Sequence, residues 1–452
     1  MDNLPNELVY NILKKLKQKE LLKCAIVCKR FKDIIESYSL INKLVIQDEV
    51  CDSSLPVFNR KYTKVIIRDN NDVNILKALQ TTGDSILEVK FDQHNSSLES
   101  ITKTLNYLPN VKVITFYYVR IEDDEEVVKD LVQPISHTID FHFLESDPLI
   151  FKVLTNLSAK SIELRLYGDS PYYNFENFMP FMAKQKELKS FRLSGIFESN
   201  LMYGYVPKGD YRLTEFEISN CDLEEWIYLE TYLNDHVDSL EKLSFRDLRS
   251  WDPSVIVKAC NNLKRLEILE DMSINDIDSD ITSVKELSVE NPSLSITKFT
   301  NLKKLFMQNA TAEVNRAIIG SNIENLTVRF GTVEGIQCEK LTKLRLMNID
   351  GPLTEEFFRN HPKIVDLKLE NHFLLTDALL ETIVRNLQNL KVLTIYGMND
   401  LSSRAFEIIK THCKNLKVLD TKIWSQRYKI ADWKCLFESN NGIEIYTETF
   451  NF

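Results

Sequence analysis

The chain has 452 residues, of which 44% are hydrophobic and 27% charged, and its net charge at pH 7 is −10. This length can bury a large core, and the apolar share excludes an intrinsically disordered chain. The acidic balance argues against non-specific nucleic-acid binding, and no apolar run approaches the roughly 18 residues that a membrane span needs.

The first 40 residues have the apolar spacing of three short helices. In LPNELVYNILKKL, residues 4–16, apolar side chains recur on one helical face, and Pro5 suits the first turn of a helix. The pattern predicts helices over 5–16, 19–26 and 28–37. A helical unit this small rarely holds enough core to stand alone, so it either caps the next domain or docks onto another protein.

A six-residue pattern, L-x-x-L-x-L with aliphatic or aromatic substitutes, recurs along the rest of the chain. The units are mostly 21–27 residues long, and those at 284 and 323 have only 18. Such a period is typical of leucine-rich repeats. Clear copies begin at residues 111, 188, 213, 240, 263, 284, 302, 323, 341, 364, 390 and 416, weaker ones at 41, 62, 86, 136 and 161, and a degenerate one lies near GIEIY at 442–446.

The repeats predict an α/β fold, in which a three-helix domain precedes a leucine-rich-repeat solenoid. Each unit supplies a short strand whose second and third apolar residues point inward, and neighbouring units stack to bury them. The result is a curved parallel sheet with concave strands and with helices and turns outside. Residues 376–388 and 403–415 predict outer helices, whereas the 18-residue units have room only for a turn or a short 3₁₀ segment. The predicted domains are 1–40, 41–424 and a C-terminal cap, 425–452, with a helix and a final strand.

The eight cysteines fit repeat packing better than metal binding. Cys260, Cys338 and Cys413 each precede the first leucine of a unit by three residues, and Cys221 follows a strand. No C-x-x-C pair occurs and the seven histidines are scattered, so we expect no metal, no cofactor and no disulfide. Unpaired cysteines and the lack of an apolar N-terminal run favour a reducing compartment, which is the cytoplasm, the nucleus or both.

The N-terminal segment resembles an F-box. That family has Leu-Pro-x-Glu-Leu, then Ile-Leu…Leu, then Leu-Leu, then Val-Cys-Lys/Arg-Arg and an aromatic residue. The aromatic residue is usually Trp and here is Phe31, and the acid before the Leu-Leu pair is usually Asp and here is Glu20. Both departures keep the chemistry. The matching residues are Leu4, Pro5, Glu7, Leu8, Ile12, Leu13, Leu16, Leu21, Leu22, Val27, Cys28, Arg30 and Phe31.

This resemblance implies a partner for the helices. In the family, the module binds the small Skp adaptor, which links it to a cullin and a RING protein. The residues that would contact the adaptor are Leu4, Pro5, Leu8, Ile12, Leu21, Val27 and Phe31.

The combination also implies a function. The cysteine-bearing units are similar to a repeat subtype often joined to F-boxes, whose members select targets for an SCF (Skp-cullin-F-box) ubiquitin ligase without being enzymes themselves. Nucleic acid and membranes are not expected partners. Two alternatives stay open: an F-box protein that regulates or scaffolds without cullin, and a repeat-based scaffold or RNA-linked binding protein whose helices only cap the array.

Outward-facing residues of the strands are candidates for binding the target. They are the third, fifth and seventh residues of each unit, and aromatic and Arg side chains are the usual anchors of interfaces. Arg also suits an acidic or phosphorylated motif, although such residues equally line any wet surface. In resembling receptors the target often sits far from the F-box, so the second of two clusters is favoured. The first cluster is Tyr117, His142, Arg165, Tyr167 and Arg192, and the second is Phe306, Arg329, Arg345, Met347, Lys368 and Tyr396.

Overall fold

A computed structural model describes most of the chain, which divides into two compact units, Met1–Tyr232 and Leu233–Phe452. No helix among the described residues is long and apolar enough to cross a membrane. The described residues are 5–16, 18–37, 43–46, 62–68, 72–122, 132–165, 177–195, 210–221, 227–248, 252–269, 277, 279–371, 375–397, 401–423 and 444–447.

The first unit begins with the three predicted helices, which are α1 (Asn6–Leu13), α2 (Gln18–Val27) and α3 (Lys29–Ser37). The Arg30 guanidinium on α3 donates to the Asn6 side chain on α1 at 3.0 Å. The helices share a small apolar core, against which Tyr62 packs. The core residues are Val9, Leu13, Leu21, Ile34 and Ile35.

The remainder of the first unit consists of stacked repeats. Its main strands are all parallel, and each pairs with the next along the chain except that β4 pairs with β6. The elements are β1 (Lys43–Ile46), β2 (Lys64–Ile67), α4 (Asp72–Thr82), β3 (Glu88–Asp92), β4 (Asn95–Ser96), α5 (Leu98–Asn106), β5 (Val113–Tyr117), β6 (Arg120–Ile121), β7 (Ile139–Leu144), α6 (Phe151–Leu154), β8 (Ala159–Arg165), α7 (Phe178–Ala183), β9 (Ser190–Ser194), β10 (Glu215–Ser219) and α8 (Ile227–Asn234), within which the division into units falls.

A row of phenylalanines runs through the core of this unit. Phe91, Phe116 and Phe143 occupy the third apolar position of consecutive repeats, and their rings stack with centroids 5.1 and 5.3 Å apart. Phe151 of α6 lies 4.4 Å from Phe143, so outer helices cover this side of the sheet. The inward face is therefore aromatic as well as aliphatic, and the stacked rings join three consecutive repeats.

Two repeats begin at residues other than those predicted. Phe141 pairs with Ile114 and Phe143 with Phe116, which places the unit at 138 rather than 136. Ile162 pairs with Phe141, which places the next unit at 159 rather than 161. A two-residue shift leaves every side chain on the same face of a strand, so alternation alone does not distinguish these registers.

The second unit has the same parallel order, with each strand paired to the next. The elements are β11 (Lys242–Arg246), α9 (Ser254–Ala259), β12 (Arg265–Leu269), β13 (Glu286–Glu290), β14 (Lys304–Ala310), α10 (Ala312–Ala317), β15 (Asn325–Gly331), β16 (Lys343–Met347), α11 (Glu355–Asn360), β17 (Asp366–Glu370), α12 (Asp377–Asn386), β18 (Val392–Gly397), α13 (Arg404–His412), β19 (Val418–Ile423) and β20 (Glu444–Thr447). The α/β repeat fold is therefore confirmed.

The outer segments of this unit follow the predicted lengths. Helices α12 and α13 lie within the two predicted helical segments, and the Thr376 hydroxyl caps α12 by accepting from the Leu379 N–H at 3.3 Å. The 18-residue repeat at 284 carries only a 3₁₀ helix, Leu294–Lys298, and the one at 323 carries turns. Strand β20 pairs with β19 at the predicted final strand, whereas the predicted capping helix lies outside the described residues.

The eighth residue of most described repeats has a left-handed backbone. Asn tolerates this conformation, but Tyr118 (φ 51°) and Phe330 (φ 56°) also adopt it, which costs bulky residues roughly 1–3 kcal/mol each. We call this position the left-handed slot. Its occupants are Gln93, Tyr118, Glu145, Gly195, Asn220, Asp247, Asn291, Asn309, Phe330, Asn348, Asn371 and Gly397.

The repeat cysteines are packing residues. Cys221, Cys260, Cys338 and Cys413 are all at most 5% exposed. Burial raises the pKa of the Cys260 and Cys413 thiols to about 12, so both stay protonated and poorly nucleophilic. Among the described residues, no three His, Cys, Asp or Glu side chains are grouped as a metal site requires.

A buried histidine predicts that acid destabilises the second unit. His361 is 2% exposed, its Nδ1 donates to the Phe357 carbonyl at 2.7 Å, and its Nε2 accepts from the Cys338 N–H at 3.0 Å. Burial lowers the pKa of His361 below 6.5. In acid the unfolded chain therefore binds a proton at this histidine more readily than the folded chain does. The contribution of His361 to the free energy of unfolding is complete above about pH 6.5 and decreases as the pH falls below that value.

We expect the free energy of unfolding to decrease between pH 7 and pH 5, and part of that slope to come from His361. His361→Gln keeps an amide donor and acceptor but does not titrate. Urea titrations at several pH values should show a flatter dependence for this variant, even if it is less stable at pH 7. An unchanged slope would mean that His361 does not contribute.

Candidate protein-interaction surfaces

Helix α1 is apolar on two faces. One face carries Val9 and Leu13, which are buried in the core of the three helices. The other carries Leu8 and Ile12, one helical turn apart, which are 50% and 51% exposed. Neither belongs to that core and both are half exposed, so these side chains are available to a partner.

Two further predicted adaptor residues are also exposed. Pro5 lies in solvent at the start of α1, and Val27 at the end of α2 is 74% exposed, the largest fraction among the exposed apolar side chains of the described residues. We define the docking face as Pro5, Leu8, Ile12 and Val27. Exposed apolar groups at these positions are a recognised mark of protein interaction sites.

The remaining predicted adaptor residues are not part of this exposed docking face. Leu21 is only 3% exposed and belongs to the core, so in the free protein it stabilises the helices and cannot contact a partner. Phe31 is half-buried against the same core. Leu4 lies outside the described residues. Helical periodicity in the sequence shows only that these residues are apolar and lie on a helix face. The packing of the three helices decides which of them are buried and which are exposed.

The second cluster of predicted target residues forms a continuous surface. Strand register places Phe306, Thr327, Arg345 and Lys368 side by side on four adjacent strands. Arg329 and Met347 are neighbours in the next row, two residues further along the strands, and that row continues to Tyr396. Because adjacent strands are about 4.8 Å apart, the predicted residues lie within reach of one bound segment.

Part of this cluster is neutralised within the fold. Arg345 and Lys368 both donate to Glu370, at 3.0 and 2.7 Å, and the Lys368 ammonium lies 4.7 Å from the centre of the Tyr396 ring. Burial raises the pKa of Glu370, but hydrogen bonds from Lys368 and Arg345 outweigh burial and lower it. The Tyr396 hydroxyl donates to Asp420. These cations are therefore poorer candidates for an acidic motif than their residue types suggest.

Three residues of this cluster remain good candidates for anchoring an interface, which are Phe306, Arg329 and Met347. Phe306 and Met347 are half-buried, and Arg329 is exposed. Among the described residues no carboxylate pairs with Arg329, whose guanidinium carbon lies 5.1 Å from the Phe330 ring centre. We call these three residues the second-unit patch. It offers apolar surface beside one accessible positive charge.

The first cluster is more heavily paired. His142 Nδ1 lies 2.8 Å from Glu163, Arg165 donates to the same carboxylate at 3.2 Å, and Arg192 lies 3.7 Å from Glu217. The hydrogen bond from His142 lowers the pKa of Glu163. Tyr117 lies two strands from Arg165 in one row, with Leu144 between them. Tyr167 lies beyond the seventh position of its corrected repeat and outside the described residues.

Comparison with known proteins identifies the N-terminal domain. The model of the F-box domain family matches residues 1–43, which contain α1, α2 and α3. The chain therefore begins with an F-box domain, and the stacked leucine-rich repeats described above follow it. No curated protein matches it. Among solved structures, the leucine-rich-repeat protein LIC12759 of Leptospira interrogans matches with 15% sequence identity and a TM-score of 0.34, over 82% of this chain and 97% of that one.

Proposed function

We propose that the protein is the substrate-recognition subunit of an SCF ubiquitin ligase, with the F-box on the Skp adaptor and the repeats on a target protein. The observation that supports it most is the docking face on a matched F-box domain. Leu8, Ile12 and Val27 are exposed although the helices already have a core of their own. A free surface of this kind is costly in water unless a partner covers it.

In this proposal the chain supplies two binding events and no covalent chemistry. Holding a target close to a charged ubiquitin-conjugating enzyme raises the effective concentration of its lysines, which accelerates transfer without any catalytic residue in this chain. Cullin and the RING protein are reached through the adaptor, in the cytoplasm, the nucleus or both. Ubiquitinated targets would then be degraded by the proteasome.

Purification of the tagged full-length protein from its native cells, followed by mass spectrometry, tests this assignment. We expect the Skp adaptor, a cullin and a RING protein in stoichiometric amounts. Recovery of the adaptor without cullin would overturn the ligase role in favour of a regulatory F-box protein. Recovery of neither would leave the helices as a cap on the repeats.

We further propose that the second unit binds the target through the surface around Phe306, Arg329 and Arg345. Arg345 is included although Glu370 pairs with it, because it shares a row with Phe306 and a bound acidic group would compete with Glu370. Aromatic and Arg side chains at the centre of an interface typically contribute most of its affinity.

The triple variant Phe306→Ala, Arg329→Ala, Arg345→Ala should lengthen the cellular half-life of the target several-fold and leave adaptor binding unchanged. A cycloheximide chase measures the half-life, and co-purification measures adaptor binding. The matched control is Leu294→Ala, Lys303→Ala, Lys340→Ala, three exposed residues of the same unit that do not belong to the predicted cluster. If turnover of every identified target is the same in both triple variants, this surface is not the target site.

A further inference from the structure

The first unit contains a small open pocket at the ends of strands β5, β7 and β8. Its volume is about 430 Å³, which is enough for one large amino-acid side chain. The lining residues are Tyr117, Tyr118, Leu144, Glu145 and Arg165. Tyr117, Leu144 and Arg165 are cross-strand neighbours in one row, and Tyr118 and Glu145 directly follow that row.

The side chains in the left-handed slot at the pocket differ from those of most other repeats. Tyr118 and Glu145 occupy the left-handed slot, with φ of 51° and 54°, where Asn is the most frequent residue in this chain. Tyr118 is 42% exposed, so burial of its ring does not compensate for this conformation. Its hydroxyl donates to Glu145, and this hydrogen bond raises the pKa of Tyr118 to about 12. Two side chains unsuited to the slot are thus held together at the mouth of one pocket.

The walls of the pocket are aromatic. The rings of Tyr117 and Tyr118 are 4.6 Å apart and nearly perpendicular, at 80°, so they form two sides of a corner. Leu144 is half-buried beside them and supplies an apolar surface. The Lys90 ammonium lies 4.2 Å from the centre of the Tyr117 ring and is paired with Asp92 at 2.6 Å. An aromatic guest would meet ring edges, ring faces and one aliphatic side chain.

The charges of the pocket select against charged guests. Arg165 is held by Glu163, and Glu145, which follows its cross-strand neighbour Leu144, accepts from Tyr118. Both charges are thus already paired within the fold, and a cation attracted to Glu145 would also meet Arg165, as an anion attracted to Arg165 would meet Glu145. A neutral aromatic side chain avoids both penalties, and a polar edge such as an indole N–H can donate to a carboxylate.

We propose that this pocket binds an uncharged aromatic side chain, Trp or Tyr, presented by the target protein. The inference rests on the proposed function for the identity of the partner. The chemistry of the guest rests only on the pocket itself. The second-unit patch and this pocket would be separate contacts for the same class of partner.

Ligand-observed NMR with blocked amino acids tests the pocket on the full-length chain. N-acetyl-tryptophanamide is expected to bind with millimolar affinity, and N-acetyl-lysinamide and the amide of N-acetyl-glutamic acid are expected to bind at least about tenfold more weakly. Saturation transfer from the protein to each probe is measured as the probe is titrated. Absence of tryptophanamide binding, or stronger binding of either charged probe, would overturn the proposal.

Tyr118→Asn is the decisive variant, because Asn suits the left-handed slot and removes one wall without unfolding the repeat. We expect at least about a tenfold loss of tryptophanamide affinity. Tyr107→Ala removes another exposed tyrosine of the same unit, 38% exposed, and should leave the affinity unchanged. Equal loss in both variants would contradict the pocket assignment. Tryptophanamide binding together with a failed adaptor purification would overturn the ligase role and leave the pocket intact.

Discussion

We expect the double variant Leu8→Asp, Ile12→Asp to lose the Skp adaptor, the partner proposed above, while the rest of the chain stays folded. Both side chains are half exposed in the free protein, so the charges cost the folded chain little. In the complex each carboxylate would be removed from water without a partner, which costs several kcal/mol and predicts more than about 100-fold weaker binding. Titration of purified adaptor by calorimetry measures the loss, and circular dichroism checks the fold.

The control places the same charge on equally exposed aliphatic residues far along the chain. Val255 and Ile319 are 59% and 51% exposed in the second unit, and Val255→Asp, Ile319→Asp should bind the adaptor as the native chain does. Comparable affinity of the docking-face variant and the native chain would mean that these residues do not contact the adaptor. Loss of binding in the control variant would indicate a general effect of charge.

Replacement of Phe116 by Ala will destabilise the first unit by about 3–5 kcal/mol. Phe116 is fully buried, and its ring stacks between Phe91 and Phe143. Truncation removes its contacts with both neighbouring repeats and leaves a cavity that stacked rigid rings cannot close. Urea unfolding followed by far-ultraviolet circular dichroism should show a lower midpoint for the transition of this unit.

Tyr107→Ala is the matched control for this loss of an aromatic ring. Its ring is 38% exposed, so the expected change in the free energy of unfolding is below about 0.5 kcal/mol. A similar change in the two variants would mean that the phenylalanine row does not hold the repeats together. A stability loss confined to Phe116→Ala would support it.

The fold could be predicted from spacing, because two physical periods dominate this sequence. A 3.6-residue period defines α1, α12 and α13, and the repeat period places most strands. The prediction was wrong for the starts of the units at 136 and 161, where alternate apolar residues continue through 143 and 164 and both registers bury the same face. The pairing of Phe143 with Phe116 decides the first start, and the pairing of Ile162 with Phe141 decides the second.

The candidate sites were less predictable, because they depend on contacts between residues far apart in sequence. Glu370 is 25 positions from Arg345, and its pairing with that residue follows from strand register rather than from any local pattern. Leu8 and Leu21 look alike in sequence, yet the packing of three helices exposes one and buries the other. The pocket depends on Tyr118 having a left-handed backbone, and an aromatic residue in a sequence does not predict that conformation.

Bulky residues in the left-handed slot give a rule for searching other repeat proteins. In this chain Tyr118 lines the first-unit pocket, and Phe330 lies against Arg329 of the second-unit patch. In a repeat family, a strained backbone position is commonly filled by Asn or Gly. A repeat that has an aromatic residue there is less stable than it would be with Asn or Gly, which suggests that the aromatic side chain serves another purpose. Aligning the units of one chain against each other exposes such exceptions without any homologue, and thereby ranks surface residues for mutagenesis from a single sequence.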